Sequence, residues 1–578
     1  MTRAFLASTL LASTLFFAAC DSAPVEITEP ETTATPRHPG MVAAAHPLAV
    51  EAGLATLAKG GSAVDAAVSI QAALGLVEPQ SSGLGGGAFM LVHDPETGGV
   101  WTYDGREEAP SDVDDSLFQD AEGEPVRYFD GIVSGRSTGT PGAVAMLGMA
   151  HGDYGTLPWD VLFEPVIHMA EDGFAVSPRL NSLLARMDSF GSPMSEDAEA
   201  GPLFFPNGEP VAVGTILRNP AYADTLYALQ DNPRAMVEGP IAESIAAKVA
   251  EGPRPGTLSV ADMARYQPVK HEALCSDYRG HRVCGARPPA SGGVATQAAL
   301  ELLEPFDMTA LGPTPEGWHI FIEASRLAYA DRDAYVSAPD TMPFAVEALL
   351  DADYLSGRAA LISSDAVIPA AIPGNPLGAT PATDATPDNP GTSHFTVVDG
   401  DGLVVSMTTT VESAFGSQRM TNGFFLNNQL TDFSFRSVDD DGNLIPNRVG
   451  PRKRPRSSMS PTIVFAPDGD FLFTTGSPGG NSIIAYTLKT IVGILDWGLS
   501  PQAATDLPNV IARGDTVSVE KGAMDEATLE ALRAMGHRID DSRGEISGIH
   551  IIYDLGDGAL TGAADPRREG MVGEASPL

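Results

Sequence analysis

From about residue 41 the apolar positions switch between a period of 3.6 and a period of 2. Val50, Leu54 and Leu57 recur at i, i+4 and i+7 behind Pro47, which predicts a helix that Gly60-Gly61 closes. Ser62 then stands where a helix cap belongs, with Asp65 three residues on as its capping-box partner. Helical spacing is also predicted over 154–172, 219–249, 316–335 and 482–494, and two strands over 274–286 around Asp277-Tyr278-Arg279-Gly280.

The stretch 366–390 breaks this pattern. It repeats Pro, Ala, Thr and Gly without periodicity and reads as a flexible connector. Directly after it, 392–399 and 403–409 are β-rich runs around Gly400-Asp401-Gly402, a predicted hairpin. Further strands are expected at 423–427, 462–465 and 470–475. The body is therefore mixed α and β, and no 20–50-residue repeat suggests a solenoid or propeller.

The front of the chain has a different character. Arg3, an apolar stretch from 4 to 19 and small residues before Cys20 make a secretory signal, too short for a typical membrane span. Phe17-Ala18-Ala19-Cys20 resembles the lipobox of bacterial lipoproteins, so residues 1–19 are expected to be removed and Cys20 lipidated; plain secretion after cleavage near Ala19 is the alternative. Asp21 resembles the signal that retains lipoproteins at the inner membrane. Residues 20–38 read as a tether, and the expected location is periplasmic, on a lipid anchor.

Composition narrows the function. A length of 578 residues allows up to about four domains. With 43% hydrophobic and 19% charged residues a large core is feasible. The net charge of −40 repels phosphate backbones, which argues against nucleic-acid binding. Cys20, Cys275 and Cys284 are too few for a disulfide scaffold and lack zinc spacing; the last two flank a predicted turn and are either bonded or two free thiols.

Familiar catalytic motifs are missing: there is no GxxxxGK loop or HExxH helix, and the 11 histidines do not cluster at ligand spacing. Gly85-Gly86-Gly87 reads as close packing at a strand start. What remains is Thr392, at the head of a strand and preceded by Gly391 and the connector. A threonine hydroxyl is a weak nucleophile unless a base adjoins it, and a chain-terminal threonine carries that base as its own α-amine. On pattern alone Thr392 reads as an ordinary strand residue.

The sequence from Gly40 onward resembles the γ-glutamyltransferases (glutathione hydrolases), members of the N-terminal nucleophile hydrolases. The resemblance is carried in order by Gly60-Gly61-Ser62-Ala63-Val64-Asp65-Ala66-Ala67, Leu84-Gly85-Gly86-Gly87, Thr140-Pro141-Gly142, Ser291-Gly292-Gly293, Thr392-Ser393-His394, Asn427-Asn428-Gln429, Arg454 to Thr462 and Gly476-Ser477-Pro478-Gly479-Gly480. It implies an α+β fold, the four-layer α/β/β/α sandwich. It also implies a precursor that cuts itself between Gly391 and Thr392 into a large subunit, 39–391 behind its tether, and a small subunit, 392–578. Thr392 would be the nucleophile, with Thr410 as its hydrogen-bond partner and the amides of Gly479 and Gly480 as oxyanion donors. Arg106, with Ser457 and Ser458, would grip the α-carboxylate of a γ-glutamyl donor such as glutathione; Gln429 and Asp432 would bind its α-ammonium. Acceptors would be water, amino acids or peptides, with no cofactor and no metal.

Several positions depart from that pattern. Glu412 replaces an asparagine common in relatives, a carboxylate that favours a donor carrying an α-amine over a glutaryl donor. The alternative reading is thus an N-terminal-threonine amidase with another acyl donor, cephalosporin-acylase-like. Thr431 and Asn481 also differ from frequent residues without removing a required group. The segment 434–449, which corresponds to a lid, carries Asp439-Asp440-Asp441 and no tyrosine, so hydrolysis is expected to dominate transfer. Arg452-Lys453-Arg454 is expected to brace carboxylates of the body.

Overall fold

Strand residues that point to opposite faces enter different cores, and this alternation lays out the architecture. The computed structural model describes residues 1, 39–382, 384, 391–544, 546–556 and 558–575. The expected signal peptide beyond Met1, Cys20 and the tether to residue 38 lie outside them. A seven-stranded sheet runs in the order Met571–Glu574, Met41–Ala44, Thr392–Val398, Val404–Thr410, Gly87–His93, Val100–Gly105, Val269–Glu272. A six-stranded sheet runs Ala559–Ala564, His550–Gly556, Phe471–Gly476, Thr462–Phe465, His281–Gly285, Leu274–Tyr278. All of these pairings are antiparallel.

In the first sheet Ala88, Met90, Val92, Phe395 and Val397 face a core shared with helices Pro47–Leu57, Ala63–Val77 and Ala143–Tyr154. Phe89, Leu91 and Val398 face the other way, meeting Cys284, Ile463, Phe465 and Ile552 of the second sheet. Behind that sheet, Val283, Val464, Phe473 and Ile551 pack on helices Gly292–Leu303, Pro315–Tyr335 and Ile483–Leu495. Helix, sheet, sheet, helix: the expected four-layer sandwich is the fold, produced by strands buried on both faces. Both sheets combine strands from before and after Gly391, so the two segments share one core.

Local expectations mostly hold. Ser62 and Asp65 form the capping box, Asp65 N donating to Ser62 Oγ at 3.1 Å and Ser62 N to Asp65 Oδ2 at 2.9 Å. The hairpin pairs Thr392 with Thr410 across its open end. Cys275 and Cys284 sit opposite each other in the 274–286 hairpin and are bonded. Gly86 presents its carbonyl to the amides of Gly142 and Ala143, the close approach expected of the glycine run.

Four expectations need correction. The helix over 219–249 is two helices, Pro220–Asp231 and Gly239–Val249, because Pro233 and Pro240 lack the amide that would continue the ladder. The helix over 154–172 is reduced to Glu164–Asp172 after a short turn at Trp159–Leu162, since Gly155 and Pro158 interrupt it. The strand over 423–427 shrinks to Phe424–Phe425, paired only with Met420–Thr421. The described part of the connector is tied down: Gly374 N donates to Asp331 Oδ1 at 2.7 Å, and Tyr335 Oη donates to the Gly374 carbonyl at 2.6 Å. Residues 383 and 385–390 lie outside the description.

Candidate active site

The hairpin register delivers two threonines to one point. Thr392 opens its strand and Thr410 ends the neighbouring one, both buried. Thr410 Oγ1 donates to the carbonyl of Gly391 at 2.7 Å, while Glu412 N donates to Thr410 Oγ1 at 2.7 Å. Thr392 Oγ1 donates to the same Thr410 oxygen at 3.4 Å, long for an O–H···O bond. A continuous chain therefore links the hydroxyl after the Gly391–Thr392 peptide to the carbonyl oxygen before it. Gly391 is enforced by space: a Cβ there would lie 2.2 Å from the Glu412 carbonyl oxygen and 2.5 Å from the Ser413 carbonyl carbon.

Around this point a cavity of about 40 Å³ is lined by Arg106, Thr392, Thr410, Glu412, Gln429, Asp432, Ser457, Ser458 and Gly480. Nine of the residues singled out in the sequence thus meet in one place, although they come from positions more than three hundred residues apart. Gly479 borders an adjoining cavity together with Gly480. At Gly479 φ is +138°, and a Cβ would sit 2.5 Å from the Tyr486 ring, so only glycine lets the backbone take this turn between strand and helix.

Arg106 follows strand Val100–Gly105 and is fully buried. Its Nε donates to the Pro455 carbonyl at 3.1 Å, one Nη to the Arg456 carbonyl at 2.7 Å, and the same nitrogen pairs with Asp432. Gln429 Nε2 donates to Asp432 Oδ2 at 2.6 Å. One fixed cation and one fixed anion thus face each other, and a free α-amino acid presents the same two charges in the opposite sense. The serine hydroxyls do not touch Arg106: Ser457 Oγ accepts from Met459 N at 3.2 Å, and Ser458 Oγ donates to Asn481 Oδ1 at 2.8 Å. Glu412 adopts φ of +81°, and its carboxylate accepts from Ser413 Oγ, from Asn428 Nδ2 and, at 3.3 Å, from Tyr128 Oη.

The lid segment is pinned at its base. Asn447 Nδ2 donates to Asp384 Oδ2 at 3.0 Å and to the Asp432 carbonyl at 2.7 Å, and Phe435 stacks on Phe118 with ring centres 4.4 Å apart. Of the basic run, Arg452 and Arg454 do brace carboxylates, Glu108 at 3.2 Å and Asp104 at 2.9 Å. Lys453 instead donates to the carbonyls of Pro446 and Arg448 at 2.5 and 2.9 Å, and burial pulls its ammonium down to about 7.

Comparison with known proteins agrees with this geometry. Residues 49–575 match the family described as Gamma-glutamyltranspeptidase. The chain belongs to that family. The glutathione hydrolase proenzyme of Escherichia coli strain K12 is 36% identical over 540 residues, which span 91% of this chain and 90% of that protein. Among solved structures, a cephalosporin acylase from Bacillus halodurans superposes with a TM-score of 0.82 at 28% identity, covering 96% of this chain and 99% of that one. Helicobacter pylori gamma-glutamyltranspeptidase superposes with a TM-score of 0.53 at 30% identity over 56% of this chain and 92% of its own.

As a gamma-glutamyltranspeptidase family member the chain also shows site residues that sequence reasoning passed over. Arg332, late in helix Pro315–Tyr335, donates Nη2 to Ser458 Oγ at 2.5 Å and Nε to Ser291 Oγ at 2.9 Å. Arg456 reaches Asp384 at 2.9 Å, and all three line the cavity. The available signal was charge inside a helix: Glu323, Arg326, Asp331 and Arg332 are all buried on one helix, which structural needs alone rarely require. Glu107 was missed too. It is fully buried with one oxygen 3.8 Å from Arg106, and burial, opposed by that guanidinium, raises its carboxyl to about 8.

Proposed function

We propose that this protein is a self-cleaving γ-glutamyl hydrolase and transferase acting on glutathione and related donors. The observation that carries the reading is the relay from Thr392 Oγ1 through Thr410 Oγ1 to the Gly391 carbonyl, set beside an Arg106–Asp432 pair in the same cavity. In maturation, Thr392 Oγ attacks the Gly391 carbonyl carbon. Its proton passes to Thr410 as the Thr410 proton passes to the developing oxyanion. The C–N bond then breaks as the proton on the tetrahedral oxygen passes to the leaving nitrogen, which frees the α-amine of Thr392 and leaves an ester that water hydrolyses to the Gly391 carboxylate and the Thr392 hydroxyl.

The freed amine becomes the base for the second use of the same hydroxyl. Thr392 Oγ attacks the γ-carbonyl of the donor, the amides of Gly479 and Gly480 receive the oxyanion, and the proton taken by the amine protonates the leaving nitrogen. Arg106 binds the donor α-carboxylate, a charge-assisted fork match, while Asp432, Gln429 and Glu412 take the α-ammonium. Ser458, held by Arg332 and Asn481, and Ser457, which accepts from Met459 N, shape the floor of the carboxylate end.

The similarity to a cephalosporin acylase supports a second reading, an acylase for glutaryl-type donors. A glutaryl group has no α-amine and would leave Asp432, Gln429 and Glu412 without a partner, so the γ-glutamyl reading is preferred. Steady-state rates on γ-glutamyl and glutaryl p-nitroanilides separate them: higher kcat/KM on the γ-glutamyl compound is expected, and equal or better turnover of the glutaryl compound refutes the choice. Residues 39–391 and 392–578 are the two subunits in this reading, and the resemblance of Phe17-Ala18-Ala19-Cys20 to a lipobox supports a periplasmic enzyme anchored through a lipid on Cys20. No helix among the described residues is long and apolar enough to cross a membrane.

A further inference from the structure

A second cavity, of about 450 Å³, reaches Gly391, the residue before the nucleophile. No residue borders both it and the cavity that holds Arg106 and Asp432. Gly391 lines it, and Arg568, which also lines it, donates Nη1 to the Thr392 carbonyl at 2.9 Å. Its walls are apolar at Phe129, Leu183 and Met187 and cationic at Arg179, Arg186, Arg567 and Arg568, and among the described residues none that lines it is acidic.

Arg568 has no carboxylate in contact: Glu78 and Asp565 act on it only from a distance. Its other bond is Nε to the Ile546 carbonyl at 2.9 Å, and among the described residues no carboxylate comes within 4.0 Å of it. Its neighbour Arg567 is fully paired, with Glu520 at 2.6 Å and Asp565 at 3.1 Å. Burial and then the approach of Arg179 pull the Arg568 guanidinium down to about 9, against the opposing pull of Glu78 and Asp565. Arg179 keeps only a loose pairing with Glu78, at 3.5 Å. A buried guanidinium of this kind, within reach of the reacting strand and opposite an apolar wall, matches an anionic ligand with an apolar body.

We propose, resting on the γ-glutamyl reading above, that this cavity holds the peptide on the leaving side of the γ-glutamyl bond. The terminal carboxylate lies on Arg568 and Arg179, and the side chains lie against Phe129, Leu183 and Met187. A two-residue leaving peptide spans about 7 Å, enough to run from Thr392 to a guanidinium already bonded to the Thr392 carbonyl. The enzyme then reads both ends of a tripeptide donor: an α-carboxylate on Arg106 and a far carboxylate on Arg568.

The test uses the mature two-chain enzyme and three donors: glutathione, glutathione with its glycine carboxylate amidated, and γ-glutamyl-p-nitroanilide. The wild type is expected to prefer glutathione over its amide about tenfold in kcat/KM, the worth of a charge-assisted bond. That ratio should fall at least threefold in Arg568→Gln and in Arg179→Gln. Should Arg568→Gln fail to mature, Arg179→Gln decides alone. A wild-type ratio near one, or a ratio unchanged in the variants, overturns the assignment while anilide turnover keeps the γ-glutamyl reading intact. Absence of anilide turnover refutes that reading itself.

Discussion

Replacing Thr410 by alanine removes one oxygen that makes three bonds at the cleavage point. It accepts from Thr392 Oγ1 at 3.4 Å and from Glu412 N at 2.7 Å, and donates to the Gly391 carbonyl at 2.7 Å. Only the last strengthens as the carbonyl oxygen gains charge, and loss of one such donor costs about 2.7–4 kcal/mol of transition-state stabilisation, a factor of about 10²–10³. The Glu412 amide also loses its partner in a buried setting, which costs about 1–3 kcal/mol of folded stability. Thr410→Ser keeps the hydroxyl and all three bonds, and is expected to mature within about threefold of wild type. The assay is a time course of precursor made by cell-free translation, followed by intact mass, with circular dichroism on Thr410→Ala to establish that it folds. Cleavage of folded Thr410→Ala within threefold of wild type would refute the relay.

The remaining predictions concern the same cavity. Gly391→Ala should slow cleavage strongly without unfolding the mature core, because its Cβ meets the Glu412 carbonyl at 2.2 Å; the same time course reads it. Glu107, raised to about 8 by burial against the pull of Arg106, is neutral below that pH and anionic above it. Ionised, it competes for Arg106 at 3.8 Å, so donor KM should climb as pH rises through 8, and Glu107→Gln should lose that limb of the profile; superimposable profiles contradict the assignment. Glu412→Gln should raise KM for γ-glutamyl-p-nitroanilide more than for the glutaryl compound, measured side by side, since only the former carries an α-ammonium. Glycylglycine should stimulate donor turnover only weakly at neutral pH, because the lid carries no tyrosine to exclude water; strong stimulation contradicts this.

What the chain made legible depended on the distance over which each signal acts. The Ser62–Asp65 box, the 274–286 hairpin and the strand pair that brings Thr392 opposite Thr410 are set by residues close in sequence, and they form where the pattern places them. The break at Pro233 was written in the sequence as well, but the apolar spacing on either side of it masked two helices as one. The cavity was legible through resemblance, because its motifs are short and ordered along the chain. Arg332 and Asp384 were not: each is brought to the cavity by tertiary contacts, among them those to Ser458 and to Arg456, that no local period encodes. The charge pairing of Arg106 with Asp432 is likewise a product of folding, which joins two positions 326 residues apart.

The central claim is that Thr392 works only after the bond before it has been cut. Intact-mass analysis of purified protein, coupled to a glutathione hydrolysis assay on wild type and Thr392→Ala, tests it most directly. The account predicts that the wild type separates into two chains, the smaller beginning at Thr392, and is active, while Thr392→Ala stays whole and inert. A wild type that remains a single polypeptide yet hydrolyses glutathione at full rate contradicts it.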